Sequence, residues 1–154
     1  MTHTIGDIAP DFTLPGDSGS TLSLSDYKGQ NIVLYFYPKD ATPGCTTQAK
    51  DFTAAKTAFE KCNTVIIGMS KDSAAKHDKF IAKQELTIKL AADEEGTTLE
   101  NYGVWVEKNN YGRKYMGIVR TTFLIDAQGV IQQVWNKVRV KNHVEAVLEA
   151  AQAL

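Results

Sequence analysis

The stretch Asn31-Ile32-Val33-Leu34-Tyr35-Phe36-Tyr37, followed by Pro38-Lys39-Asp40-Ala41-Thr42-Pro43-Gly44-Cys45, decides how this chain is read. Residues Asn31–Tyr37 form a continuous run of strand length, rich in β-branched and aromatic side chains. That pattern predicts a strand buried on both faces. Pro38–Gly44 holds two prolines and a glycine, which is loop chemistry. From Cys45 to about Glu60, residues Ala49, Phe52, Ala55 and Phe59 recur at three- and four-residue spacing, leaving Lys50, Lys56 and Lys61 outside. This predicts an amphipathic helix. Strand, loop and helix follow one another, and a cysteine stands at the last junction.

Downstream, Thr64–Met69 predicts a second buried strand, and Ser73 caps a helix running to Gln84 with Phe80 and Ile81 inward. Ile88–Ala92 reads as a third strand and Thr97–Tyr102 as a short helix. Val119–Asp126 and Val130–Trp135, joined by Ala127-Gln128-Gly129, predict a hairpin. Asn142–Leu154 predicts a closing helix, with Val144, Val147, Leu148, Ala151 and Leu154 on one stripe. Upstream, Asp11–Leu14 and Thr21–Leu24 are short strand candidates around the turn Gly16-Asp17-Ser18-Gly19. Trp105–Gly117 is polar and punctuated by glycine, and receives no assignment. The order implies an α/β fold with a central mixed sheet, helices on both faces and an N-terminal β extension. It resembles the thioredoxin-like arrangement, in which reactive groups sit at strand C-terminal ends and helix N-termini.

The 154 residues fit one domain, 1–154, large enough to fold without disulfide or metal staples. With 43% hydrophobic and 23% charged residues the composition is that of a soluble globular protein. A formal net charge of -1 removes a nucleic-acid-scale basic field. No apolar run approaches a membrane span, and Met1–Pro10 lacks an export signal, so a cytoplasmic location is expected. His3, His77 and His143 show no ligand spacing and no phosphate-binding glycine loop occurs, so neither a metal nor a nucleotide or flavin cofactor is expected. Trp105, Trp135 and the tyrosines read as packing rather than as a ligand platform.

Cys45 carries the chemical interest. A helix N-terminus presents unpaired amides and the positive end of the dipole, and both favour the reactive thiolate. The alternative is a cysteine acting as a small core hydrophobe. Around it, the run YPKDATPGCTTQAKDF resembles the active-site pattern of the peroxiredoxins, in particular their bacterioferritin comigratory protein (Q-type) branch. Asp11-Phe12-Thr13-Leu14-Pro15, Tyr102-Gly103-Val104-Trp105, Arg120-Thr121-Thr122-Phe123-Leu124-Ile125-Asp126 and the closing Asn142-His143 helix fit the same family in the same order.

The resemblance implies a peroxidase acting on hydrogen peroxide and organic hydroperoxides, with Cys45 as the peroxidatic nucleophile. It also implies that the Cys45 N–H, the Thr42 hydroxyl and the Arg120 guanidinium stabilise charge on the departing oxygen, and that Pro38 shields the thiolate. Preorganised donors in a dry pocket suit such a step. Arg120 could instead be an edge arginine paired to a surface carboxylate, and Thr42 could equally cap the helix.

Many Q-type members carry a resolving cysteine five residues after the first, where this chain has Lys50, or in the next helix, where Ser73–Leu86 has none. Only Cys62 remains, about 20–25 Å away along a helix, whereas a disulfide needs Cα atoms within about 7 Å. Cys62 is therefore expected to be a small buried residue, with resolution of Cys45 a minor possibility. A one-cysteine cycle follows, with the Cys45 sulfenic acid reduced by an external thiol from thioredoxin, glutathione or glutaredoxin. A monomer is expected, with a weak dimer as the alternative. Two other functions remain in view. Thiol–disulfide exchange normally uses Cys-X-X-Cys, but here the fourth position is Gln48. A redox sensor would use the same residues without turnover.

Overall fold

A computed structural model describes residues 4–154, so His3 lies outside the described residues. In chain order its elements are β1 (Thr13–Pro15), β2 (Thr21–Ser23), β3 (Asn31–Phe36), α1 (Pro43–Lys61), β4 (Thr64–Ser70), α2 (Ala74–Gln84) and β5 (Lys89–Ala92). They continue with α3 (Thr97–Asn101), β6 (Trp105–Asn110), β7 (Arg113–Ile118), β8 (Thr121–Ile125), β9 (Ile131–Trp135) and α4 (His143–Gln152). The main sheet has five strands in the order β5-β4-β3-β8-β9. β3 is its centre, parallel to β4 and antiparallel to β8, so the sheet is mixed.

Period-two alternation along β3 divides the interior. Ile32, Leu34 and Phe36 point into one core with Ile67, Met69, Leu99, Tyr102 and Phe123. Val33, Tyr35 and Tyr37 point into the other with Cys45, Phe52, Phe59, Phe80, Leu124 and Val147. The second face is covered by α1, α2 and α4. The first is covered by the short α3 and by the N-terminal segment through Phe12, Leu22 and Leu24. Helices on both faces were expected, but on this side a single five-residue helix shares the task with the N-terminal extension.

The segment without an assignment, Trp105–Gly117, falls in an antiparallel hairpin in which Trp105 pairs with Ile118 and Asn110 with Arg113. Its two-residue turn, Tyr111-Gly112, has φ of 52° and 80°. Positive φ at both central residues marks the turn type whose twist suits a hairpin. The closing helix is shorter than its expected apolar stripe. Val144, Val147 and Ala151 are buried, whereas Leu154 lies beyond the helix and is exposed. No helix among the described residues is long and apolar enough to cross a membrane.

Candidate active site

The loop leaving the C-terminal end of β3 delivers Cys45 to the first turn of α1. The helix begins at Pro43, two residues earlier than the periodicity indicates, so Cys45 is its third residue rather than its first. Proline suits the first helical position, where the missing N–H would have no partner. The first intrahelical bond runs from the Thr46 N–H to the Thr42 carbonyl at 2.9 Å. The amides of Gly44 and Cys45 therefore belong to the group that a helix start leaves without helical acceptors.

Cys45 is only 1% exposed, and Arg120 reaches it from the segment leading into β8. Arg120 Nη2 donates to Cys45 Sγ at 3.3 Å, and Nη1 donates to Gln48 Oε1 at 2.6 Å. The half-buried guanidinium thus engages two buried side chains of α1 rather than a surface carboxylate. Gly44 makes room for it, since a Cβ there would stand 3.3 Å from Nη2. Thr42 occupies the N-cap position, yet its hydroxyl donates back to the Lys39 carbonyl at 2.9 Å and caps no helical amide. Pro38 is exposed where the loop begins.

Gln48 and Lys108 were not recognised from the sequence. Gln48 is fully buried, and its Nε2 has no hydrogen-bond partner. A polar residue on the stripe of Ala49 and Phe52 was the available signal. Lys108, half-buried on β6, feels burial, which lowers its pKa, then the repulsive charge of Arg120, while Cys45 opposes the shift. No sequence signal could have placed it while its hairpin lacked an assignment. Tyr35 stacks on Phe52 at 4.7 Å with its hydroxyl unpartnered. Burial and then the charges of Cys45 and Asp40 push its ionisation well up.

Cys62 is separate from this group. It is the C-cap of α1, half-buried rather than buried, and its thiol donates to the Phe59 carbonyl at 3.2 Å. Continuous helix from Cys45 to Lys61 separates the two sulfurs by about 25 Å at 1.5 Å per residue. Both cysteines are free, and Lys50 is exposed on the outer face of α1. His77 and His143 are both buried, and no group of three or more metal-ligating side chains occurs among the described residues.

Comparison with known proteins gives this geometry its setting. The AhpC/TSA family profile matches residues 5–134. Peroxiredoxin Bcp of Bacillus subtilis is 52% identical over 97% of this chain and 95% of its own length. A putative peroxiredoxin bcp of Coxiella burnetii is 50% identical over 96% and 98%. Among solved structures, the bacterioferritin comigratory protein of Xanthomonas campestris, described for its alkyl peroxide reduction activity, superposes with a TM-score of 0.91. The two share 38% identity, with 98% of each chain covered. A PrxQ variant of Xylella fastidiosa gives 0.93 at 37% identity, covering 99% of this chain and 98% of that one. With its thioredoxin-like sheet, the chain belongs to the AhpC/TSA family and is a peroxiredoxin enzyme of the bacterioferritin comigratory protein, or Q, type.

Proposed function

We propose that residues 1–154 act as a single domain that reduces hydrogen peroxide and organic hydroperoxides at Cys45 through a sulfenic acid. The observation carrying this reading is the 3.3 Å contact from Arg120 to a buried Cys45 Sγ at the start of α1. The thiolate attacks one peroxide oxygen, so that an S–O bond forms as the O–O bond breaks. The departing alkoxide or hydroxide takes up a proton and leaves as alcohol or water. Arg120 and the amides of the first helical turn stabilise the charge growing on that oxygen. Thr42 donates its hydroxyl to the same oxygen once its bond to the Lys39 carbonyl is released, and Pro38 shields the thiolate from water. A groove of about 730 Å³ runs beside Pro43, Gly44 and Val144, with Asp51, Lys141 and Glu145 also in its lining, and has room for the alkyl part of an organic hydroperoxide.

The cycle closes through an external thiol, because Cys62 stands at the far end of α1. That thiol attacks the sulfenic sulfur, water leaves and a mixed disulfide forms; a second thiol then releases Cys45. Thioredoxin and glutathione with glutaredoxin are the candidate reductants, and the enzyme works in the cytoplasm as a monomer or weak dimer. Peroxide consumption with each reductant tests the reading. Cys45→Ser abolishes turnover, Cys62→Ser retains most of it, and oxidised chain gains one oxygen in intact mass under non-reducing conditions. A loss of two hydrogens would instead establish a Cys45–Cys62 bridge, and turnover by Cys45→Ser would end the assignment.

A further inference from the structure

The loop between β3 and α1 is held by buried polar groups that the peroxide chemistry does not use. Asp40 and His77 meet in the interior, with Nδ1 of His77 at 2.7 Å from Oδ2 of Asp40. His77 is 0% exposed, and its Nε2 lies 2.9 Å from the Ala91 carbonyl of β5. A carbonyl accepts only, so Nε2 carries a hydrogen. With a carboxylate at Nδ1, the pair holds one shared proton and reads as an imidazolium facing a carboxylate. Tyr37, the residue after β3, donates to the other oxygen of Asp40 at 2.5 Å. The Asp40 N–H donates to Asp72 at 2.8 Å, and Asp72 in turn accepts from Ser70 at 2.7 Å. Burial disfavours a charge on His77, but the bond and charge of Asp40, the Ala91 carbonyl and the charge of Asp72 outweigh it and raise its pKa.

The residue after this anchor is under strain. Ala41 has φ of 64°, a left-handed conformation that an alanine adopts only where its surroundings impose it. Asp40 is fixed on its side chain and on its backbone, and the Thr42 hydroxyl is bonded back to Lys39. The chain then has no slack before Pro43 starts the helix. With Cys45 1% exposed, this closed loop also keeps the sulfur from any large thiol.

We propose that the Asp40–His77 pair is a positioning latch for the peroxide reaction, tying the Pro38–Gly44 loop to α2 and β5. Closed, it fixes Thr42 and Cys45 for peroxide attack; open, it exposes the sulfenic sulfur to the reducing thiol. The two half-reactions therefore depend on the latch with opposite sign. This rests on the reading of Cys45 as the peroxidatic residue.

Stopped-flow measurement of Cys45 oxidation by hydrogen peroxide, and of its reduction by dithiothreitol, tests the latch. In Asp40→Asn the amide donates to a neutral His77 Nδ1 and accepts from Tyr37, so both rates stay near those of the unmodified chain. Asp40→Ala removes the latch: oxidation falls about tenfold or more, as misplacement of reacting groups does, and reduction accelerates. Adding Ala41→Gly removes the conformational penalty, so it recovers most of the lost oxidation rate. If Asp40→Ala does not fold, Asp40→Ala with His77→Leu replaces the pair by apolar groups, and the same opposed changes are expected. Oxidation and reduction falling together, or both staying unchanged in Asp40→Ala, would overturn the latch. Absence of peroxide reaction at Cys45 in the unmodified chain would instead overturn the proposed function.

Discussion

Arg120 joins Cys45 to Gln48, and two of its donors are committed in the resting site. Its planar, permanently charged guanidinium can hold that fork where an ammonium cannot. Arg120→Ala is expected to slow Cys45 oxidation by about 10²–10³, the usual cost of losing a charge-stabilising donor, with the fold intact by circular dichroism. Arg120→Lys should recover only a small part of that loss. A rate near that of the unmodified chain would return Arg120 to a structural role. At this scale the sequence displays Cys45 clearly, because a proline- and glycine-rich loop running into an apolar helical stripe leaves few places for a reactive thiol. The guanidinium contact is not legible in the same way: Arg120 lies 75 residues further along. Gln48 was within reach, as a polar side chain on an apolar stripe. The Asp40–His77 pair was not, since nothing local in sequence joins a loop aspartate to a histidine in α2, beyond both α1 and β4.

Among the elements, β3 and β4 were the easiest to read and the β6–β7 hairpin the hardest. In β3 every residue after Asn31 is buried, so an apolar run records the strand directly. Trp105–Asn110 and Arg113–Ile118 are mostly exposed on both faces. A hairpin buried only at its base, through Trp105 and Ile118, writes no alternation along its strands, and only the Tyr-Gly turn remained as a sign. Helix α1 was placed correctly in its body and two residues late at its start, because Pro43 and Gly44 look like loop residues until the helix requires them. Gly68 illustrates a constraint invisible to periodicity. A Cβ there would come within 2.7 Å of the Tyr35 ring and 2.8 Å of Leu90. The bare backbone of β4 is what lets Tyr35 lie across it from its paired position on β3. Gly68→Ala is therefore expected to destabilise the chain by about 1–3 kcal/mol, the range for overpacking a filled core. Urea denaturation would measure this, and an unchanged midpoint would show that Tyr35 has room to shift.

Across the whole molecule, the two buried histidines set opposite dependences of stability on pH. His143, the first residue of α4, bonds through Nε2 to the buried Thr122 hydroxyl at 2.8 Å and meets Trp135 and Phe52 edge-on. Burial and then the positive charge of Arg120 lower its pKa from 6.5 to about 4. The unfolded chain therefore binds a proton at His143 at pH values where the folded chain still refuses it. Between about pH 6.5 and 4, each step down favours unfolding, and stability rises with pH across that window. His77 behaves in the opposite sense. Its folded pKa lies above 6.5, so its contribution is complete below 6.5 and is lost only as pH rises through the higher folded value. Well below pH 6.5 His77 is protonated in both states and adds no slope, which leaves His143 as the source among the two. Urea midpoints should fall from pH 6.5 to pH 5, above the range where carboxylates of ordinary pKa dominate. His143→Gln keeps a hydrogen-bonding partner for Thr122 and cannot titrate, so it should flatten that interval. A slope unchanged in His143→Gln would mean that the acid sensitivity of the fold arises elsewhere than at the α4–β8 junction.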